Sequence, residues 1–145
     1  MPPEPTAGRT TSRRLLQATV LALSAVPIGA GGAGVLLGPA LVGGEPAAGG
    51  VDLDSHFRYL SGLLLAIGLL FIACVPHIER RIGWFRLGTA IVVCGGLGRL
   101  LSLLQEGVPS VPHLVGLGLE LLVVPLLALW QTAVSRAGAG ERRAP

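Results

Sequence analysis

Four long apolar runs, separated by short polar connections, constrain the fold of this 145-residue chain more than any other feature. They lie at about residues 15–42, 56–75, 84–104 and 111–134. A helix of about 20 apolar residues crosses the hydrocarbon core of a bilayer. In lipid, a spanning segment must pair its own backbone polar groups, which an α-helix does internally. The runs therefore predict an all-α fold, a four-helix transmembrane bundle.

The composition excludes an ordinary soluble domain. Hydrophobic residues make up 51% of the chain and charged residues 13%, against about a quarter charged in soluble domains. A core of this size cannot bury so much apolar surface, so the lipid bilayer is the expected partner. All eleven basic residues are arginines at the boundaries of apolar runs or inside them. Because they form no single patch, we expect no nucleic-acid binding.

The sequence outside the apolar runs predicts two tails around one membrane domain. Residues 1–13 are rich in Pro, Thr and Gly, which predicts a disordered N-terminal tail. Residues 14–135 form the four-span domain, and residues 136–145 a basic, disordered C-terminal tail. The stretch from Ser12 to Leu16 is similar to a twin-arginine export signal. Three further runs follow without a clear cleavage site, which favours a membrane anchor.

The arginine distribution predicts the orientation of the spans. The N-terminus, the second connection and the C-terminus hold nine of the eleven arginines. The first and third connections carry acids and no arginine. Since short arginine-rich loops stay cytoplasmic, both termini are predicted to be cytoplasmic.

Arg99 lies within a run of glycine and leucine in the third span. A charge at this depth needs a partner or a route to water. At 1.5 Å per residue, Arg99 lies about 10 Å below the outer end of its span, and Glu120 about 15 Å deep in the fourth. They are the deepest residues of opposite charge, so we expect an intramembrane ion pair.

Other polar side chains descend from the same outer ends. Two arginines, Arg58 and Arg99, face one deep carboxylate, and arginine binds phosphates and carboxylates well. We therefore predict a cluster that binds an anionic lipid or small anionic ligand. Its residues are His56, Arg58, Arg99, Ser102, His113 and Glu120. A first alternative is that the charges only hold the helices in register, with Arg58 paired to Asp54. A second alternative is that Glu120 and His113 relay protons.

The sequence favours a non-enzymatic role. No nucleophile has an adjacent base in the sequence pattern, as covalent catalysis needs. Cys74 and Cys94 have no metal-ligand spacing, so we assign neither a metal nor a cofactor.

Glycines within the apolar runs predict close helix packing. Gly31, Gly34 and Gly38 recur on one side of the first span, and Gly95 and Gly98 interrupt the third. Small residues let membrane helices approach closely. Such stripes also suit a homo-oligomer or a membrane protein partner.

Several motifs resemble those of a bacterial membrane family. They are the segment from Ser55 to Gly62, the segment from Gly96 to Ser102, the Gly107-x-Pro109 turn, and Glu120 before Pro125. Together they are similar to the domain-of-unknown-function family 4345, itself similar to DoxX-like four-helix proteins, over residues 15–134. The resemblance implies a multi-pass protein of the bacterial inner membrane and transfers no activity. We expect a membrane component with an outer-half binding cluster; the alternatives are a small-solute or proton-coupled transporter and a structural subunit.

Overall fold

The computed structural model describes residues 7–43 and 50–141, and these are helical along nearly their whole length. Helix α1 spans Ala7–Leu37 and α2 spans Gly50–Cys74; short 3₁₀ turns follow them at Gly38–Val42 and Val75–His77. Helix α3 spans Ile82–Glu106. Helix α4 (Val111–Gly118), a π-helical turn (Leu119–Val123) and α5 (Val124–Glu141) follow in one run. The described residues contain no strand, so the predicted all-α class is confirmed.

Four helical stretches are long and apolar enough to cross a membrane. They are Thr10–Val42, Gly50–His77, Ile82–Glu106 and Val111–Ala137. Large apolar side chains stay exposed along them; Leu36 is 78% exposed, Leu104 74% and Leu129 68%. An apolar surface of this extent is what lipid covers. The predicted number of spans is confirmed.

The helices extend beyond the apolar runs from which they were predicted. Helix α1 begins at Ala7, inside the segment expected to be a disordered tail, and α5 continues to Glu141 in the segment expected to be the C-terminal tail. Helix α2 begins at Gly50 instead of residue 56. The length of an apolar run indicates how much of a helix lies in hydrocarbon. The backbone hydrogen bonds of the helix continue into flanking polar residues when these have adequate helix propensity. Residues 1–6, 44–49 and 142–145, with parts of both tails and of the first connection, lie outside the described residues.

Two compact units are distinguished in the chain. One comprises Thr19–Ala73, hence most of α1 and α2. The other comprises the residues up to Ala18 and those from Cys74 onward.

In the unit of α1 and α2, glycines bring the two backbones together. A Cβ at Gly31 would lie 2.5 Å from the backbone nitrogen of Leu65 and 2.8 Å from the carbonyl oxygen of Ser61. A Cβ at Gly34 would collide with the Ser61 side chain, and one at Gly68 would lie 2.6 Å from Ile28 Cγ1. The contact therefore depends on glycines of both helices.

Gly38 ends α1 for a conformational reason as well. Its φ of +61° is in the left-handed region, where a side chain is strained. A Cβ there would also lie 2.5 Å from Asp54 Oδ1 and 2.8 Å from Arg58 Nη2. Gly38 therefore lets the end of α1 meet these charged side chains of α2.

The core of the other unit surrounds the connection between α2 and α3. The largest fully buried side chains here are Leu16, Cys74, Ile78, Phe85 and Gln131. The connection lies against α1 near Gln17 and against α5 near Gln131.

Side chains from α1 and α5 hydrogen-bond to the backbone of this connection. Gln17 Nε2 donates to the Val75 carbonyl oxygen at 2.8 Å, and Gln131 Nε2 to that of Ile78 at 2.7 Å. Arg13 forms an ion pair with Glu79 at 3.0 Å. Buried carbonyls need such donors, and hydropathy alone does not predict that these two glutamines within apolar runs supply them.

The glycine contact between α1 and α2 can be tested with neighbouring glycines. We expect Gly31→Ala to lower the free energy of unfolding by about 1–3 kcal/mol, because the new methyl group meets backbone that cannot move aside. Gly32, which has nothing within 4 Å of a Cβ, is the matched control. Gly32→Ala should be neutral or stabilising by up to about 1 kcal/mol. Unfolding of the purified variants in detergent measures both, and equal stabilities would contradict the close contact.

Candidate functional site

Arg99 of α3 and Glu120 of the fourth span form an ion pair. Arg99 Nε donates to Glu120 Oε1 at 3.0 Å. The Arg99 side chain is 38% exposed and that of Glu120 17%. Both charges lie well inside stretches that can span a membrane, and each reduces the cost of placing the other there.

Glu120 belongs to the π-helical turn Leu119–Val123. Pro125 follows two residues after this turn. A proline has no N–H to donate to the carbonyl four residues earlier, and its ring crowds that carbonyl. A wider turn relieves this crowding, which is a physical reason for the π turn at this place. Such turns occur often at functional sites, and the glutamate–proline spacing is the sequence signal that could have predicted it.

Gly96 lets α3 approach this turn. A Cβ at Gly96 would lie 2.7 Å from Leu121 Cδ2 and 2.9 Å from Glu120 Cβ. Among the described residues, by contrast, a Cβ at Gly95 or Gly98 would find nothing within 4 Å, so Gly96 and not these two glycines makes the close contact with the fourth span. Neighbouring residues of a helix point in directions that differ by about 100°. The composition of an apolar run therefore does not show which of several adjacent glycines faces the other helix.

The ion pair engages only part of each charged group. The hydrogen bond of Arg99 uses Nε, and within residues 7–43 and 50–141 its terminal nitrogens Nη1 and Nη2 have no recorded acceptor. Glu120 Oε2 is buried and has no hydrogen-bond partner among these residues. An unpaired buried carboxylate oxygen is costly, so a hydrogen-bond donor bound to it would lower the energy.

Arg58 has its partners within its own unit. Its Nε donates to Asp54 Oδ2 at 2.8 Å, one helical turn earlier. Its Nη1 donates to the carbonyl oxygens of Val35 at 2.6 Å and Leu36 at 3.1 Å. These carbonyls belong to the last turn of α1, and Pro39, four residues after Val35, has no N–H to donate to the Val35 carbonyl. Arg58 thus caps α1, and its charge is not surplus as the sequence count implied.

The other predicted residues are exposed. His113 Nδ1 lies 2.9 Å from Ser110 Oγ at the start of α4. Ser102 lies one turn after Arg99 on α3, and His56 lies in the second turn of α2. None of the three is buried.

No group of three or more His, Cys, Asp or Glu side chains capable of holding a metal ion occurs in the described ranges. The chemistry that the site offers is therefore that of a guanidinium and a carboxylate. These groups bind anions, hydrogen-bond donors and protons.

The four spanning stretches and the ion pair within them define a multi-pass α-helical membrane protein. The chain belongs to the family described as the domain of unknown function DUF4345, whose model matches residues 15–131. The matched range includes Arg58, Arg99 and Glu120. No curated protein and no solved structure matches the chain.

A double-mutant cycle tests the energetic coupling of the pair. We expect Arg99→Gln and Glu120→Gln each to lower the unfolding free energy by about 1–2 kcal/mol, because each leaves a charge without its partner in a span. The double variant should lose less than the sum of the two. Arg80→Gln, an exposed arginine in the connection before α3, is the control and should have little effect. Additive losses in detergent unfolding would contradict the coupling.

Proposed function

We propose that this protein is a non-enzymatic component of the bacterial inner membrane that binds a small anionic group in the outer half of its spans. The binding site is built on Arg99, with Glu120 as its positioning partner. The observation that carries the proposal is the ion pair in which Arg99 donates through Nε, while its terminal nitrogens have no acceptor in the part of the chain that the structure describes.

The chemistry of the guanidinium supports an anion. Arginine presents its N–H groups in a planar fork that fits two oxygens of a phosphate or carboxylate. Glu120 Oε1 lies 3.0 Å from Arg99 Nε, and this contact orients the guanidinium. In a medium of low dielectric, a charge-assisted hydrogen bond is stronger than in water.

Gly116 supports access to the guanidinium. A Cβ at Gly116 would lie 4.0 Å from Arg99 Cζ, in van der Waals contact. A larger side chain at this position would cover the guanidinium. The glycine leaves that side of Arg99 uncovered by α4.

A specific observation favours a second candidate, a proton-coupled carrier. Glu120 Oε2 is buried and lacks a partner among the described residues. Carboxylates of this kind within membranes often exchange protons in transporters. In that case Glu120 would be the coupling group and Arg99 its ion-pair partner.

The orientation belongs to the same proposal. We infer cytoplasmic termini because nine of the eleven arginines lie at the N-terminus, in the second connection and at the C-terminus. This orientation places Arg99 and Glu120 nearer the outer face.

Native mass spectrometry of the protein purified from its own membrane tests the binding proposal. We expect a bound anionic molecule whose occupancy falls about tenfold or more in Arg99→Gln, since a hydrogen bond to a charged group is lost. Gly116→Leu should lower occupancy without changing the charge, and Arg80→Gln, at an exposed arginine of the connection before α3, should retain it. An unchanged bound mass in Arg99→Gln would contradict the site. Proton flux that disappears in Glu120→Gln, with no anion bound in the wild type, would instead support the carrier.

Cysteine labelling tests the orientation. In a background of Cys74→Ala and Cys94→Ala, we expect Val108→Cys, 78% exposed in the third connection, to react in intact cells with a membrane-impermeant maleimide. Gly83→Cys, exposed at the start of α3, is the control and should react only after the cells are opened. The opposite pattern would overturn the orientation.

A further inference from the structure

Both partners of the intramembrane ion pair have an unused polar group next to their contact. Arg99 donates to Glu120 Oε1 through Nε, and within residues 7–43 and 50–141 its terminal nitrogens have no acceptor. Glu120 Oε2 has no hydrogen-bond partner in the same ranges. The terminal nitrogens share Cζ with Nε, and Oε2 shares Cδ with Oε1, so both lie close to a single contact of 3.0 Å. One small molecule can therefore reach both.

The two unused groups need opposite chemistry from whatever binds them. The N–H groups of Arg99 need acceptors, which the oxygens of a phosphate or a carboxylate supply. A carboxylate oxygen only accepts hydrogen bonds, so Glu120 Oε2 needs a donor. A ligand with acceptors alone would leave Oε2 buried and unpaired, which is unfavourable. A ligand that carries both an acceptor and a donor satisfies both residues.

Charge balance indicates which kind of donor fits. Arg99 and Glu120 neutralise each other, so a simple anion would add an uncompensated negative charge within the spans. Glu106, exposed seven residues after Arg99, lies nearly two turns along the same face of α3 and is a further acid on this side. His113 is engaged with Ser110 at 2.9 Å. An ammonium as the donor would balance the negative charge of the ligand itself.

Other arginines of the two spans lie far from the site. On α3 the other arginine is Arg86, and on the described part of the fourth span it is Arg136. Each is separated from its ion-pair residue, Arg99 or Glu120, by more than about three helical turns. Neither guanidinium can balance a second negative charge beside Glu120.

The site is accessible on the side of the guanidinium. The Arg99 side chain is partly exposed, and Gly116 leaves one side of it uncovered by α4. Glu120 Oε2 is buried, but its side chain as a whole retains some exposure. The torsion about the Cγ–Cδ bond of glutamate has broad preferences, so the carboxylate can turn Oε2 toward a ligand beside Arg99.

We propose that the Arg99 site selects a zwitterion, a molecule with an anionic group and an N–H-bearing ammonium a few bonds apart. The anionic group binds the terminal nitrogens of Arg99, and the ammonium donates to Glu120 Oε2. A phosphoethanolamine headgroup, free phosphoethanolamine and a free amino acid share this chemistry. The inference rests on the anion site proposed above and adds a donating group to its ligand.

Matched pairs of ligands test the inference. The members of a pair carry the same charges and differ in methylation of the ammonium: phosphatidylethanolamine and phosphatidylcholine, phosphoethanolamine and phosphocholine, glycine and glycine betaine. Native mass spectrometry measures binding of the lipids to the full-length protein in detergent, and titration calorimetry that of the soluble compounds. We expect the N–H member of one or more pairs to bind about tenfold more tightly, since methylation removes a hydrogen bond to a charged group. The pair that shows this preference identifies the ligand as a lipid or as a soluble molecule.

Two variants separate this inference from the anion site itself. Glu120→Gln keeps the size of the side chain and removes its charge, so the preference for the N–H member should disappear. Arg99→Gln should weaken the binding of both members of the pair. Arg80→Gln, at an exposed arginine outside the site, is the control and should change neither result.

Equal binding of both members of every pair by the wild-type protein would overturn the inference, and this comparison needs no variant. A preference that persists in Glu120→Gln would also overturn it, because the smaller size of the unmethylated group would then explain the result. If phosphatidylglycerol binds more tightly than phosphatidylethanolamine, and Arg99→Gln removes that binding, the anion site stands and the zwitterion is wrong. Binding unchanged in Arg99→Gln would overturn the anion site on which the inference rests.

Discussion

Lipid offers no hydrogen-bond donors or acceptors, so each polar group within a span needs a partner inside the protein. This constraint accounts for the main polar contacts of the structure. Arg58 donates to two carbonyls at the end of α1, and Gln131 to a carbonyl of the buried connection. Arg99 and Glu120 pair across two spans. Satisfied groups of this kind hold the helices in position, and unsatisfied atoms beside them are where binding can occur.

The glycines make these pairs reachable. Membrane helices gain little from burying apolar surface against each other, since lipid is equally apolar. Close backbone approach at Gly31 and Gly96 restores packing contacts and brings side chains within hydrogen-bond distance. At Gly96 the close approach brings in the acid of the ion pair, because carbon atoms of Glu120 and Leu121 lie where a side chain would otherwise be. The π turn and the glycine together present the Glu120 carboxylate to α3.

The sequence carried enough information for the number of spans, since hydropathy alone measures them. It also identified Arg99 and Glu120 as the deepest residues of opposite charge. The sequence could not identify the two carbonyls that accept from Arg58, because every residue has a backbone carbonyl and no sequence pattern distinguishes these two. Nor could it select Gly96 over Gly95 and Gly98 for the close contact, because each step along α3 rotates the position by about 100° and the facing residues belong to another helix.

Apolar run length and arginine placement by themselves determined an all-α membrane chain with four spans, because the cost of burying polar groups in lipid acts on every residue independently. Tertiary structure decided which polar groups meet. Arg58 became a helix cap paired with Asp54, and Arg99 kept part of its guanidinium available beside Glu120. These outcomes depend on distances of a few ångströms between helices, which only the packing of glycines and turns sets.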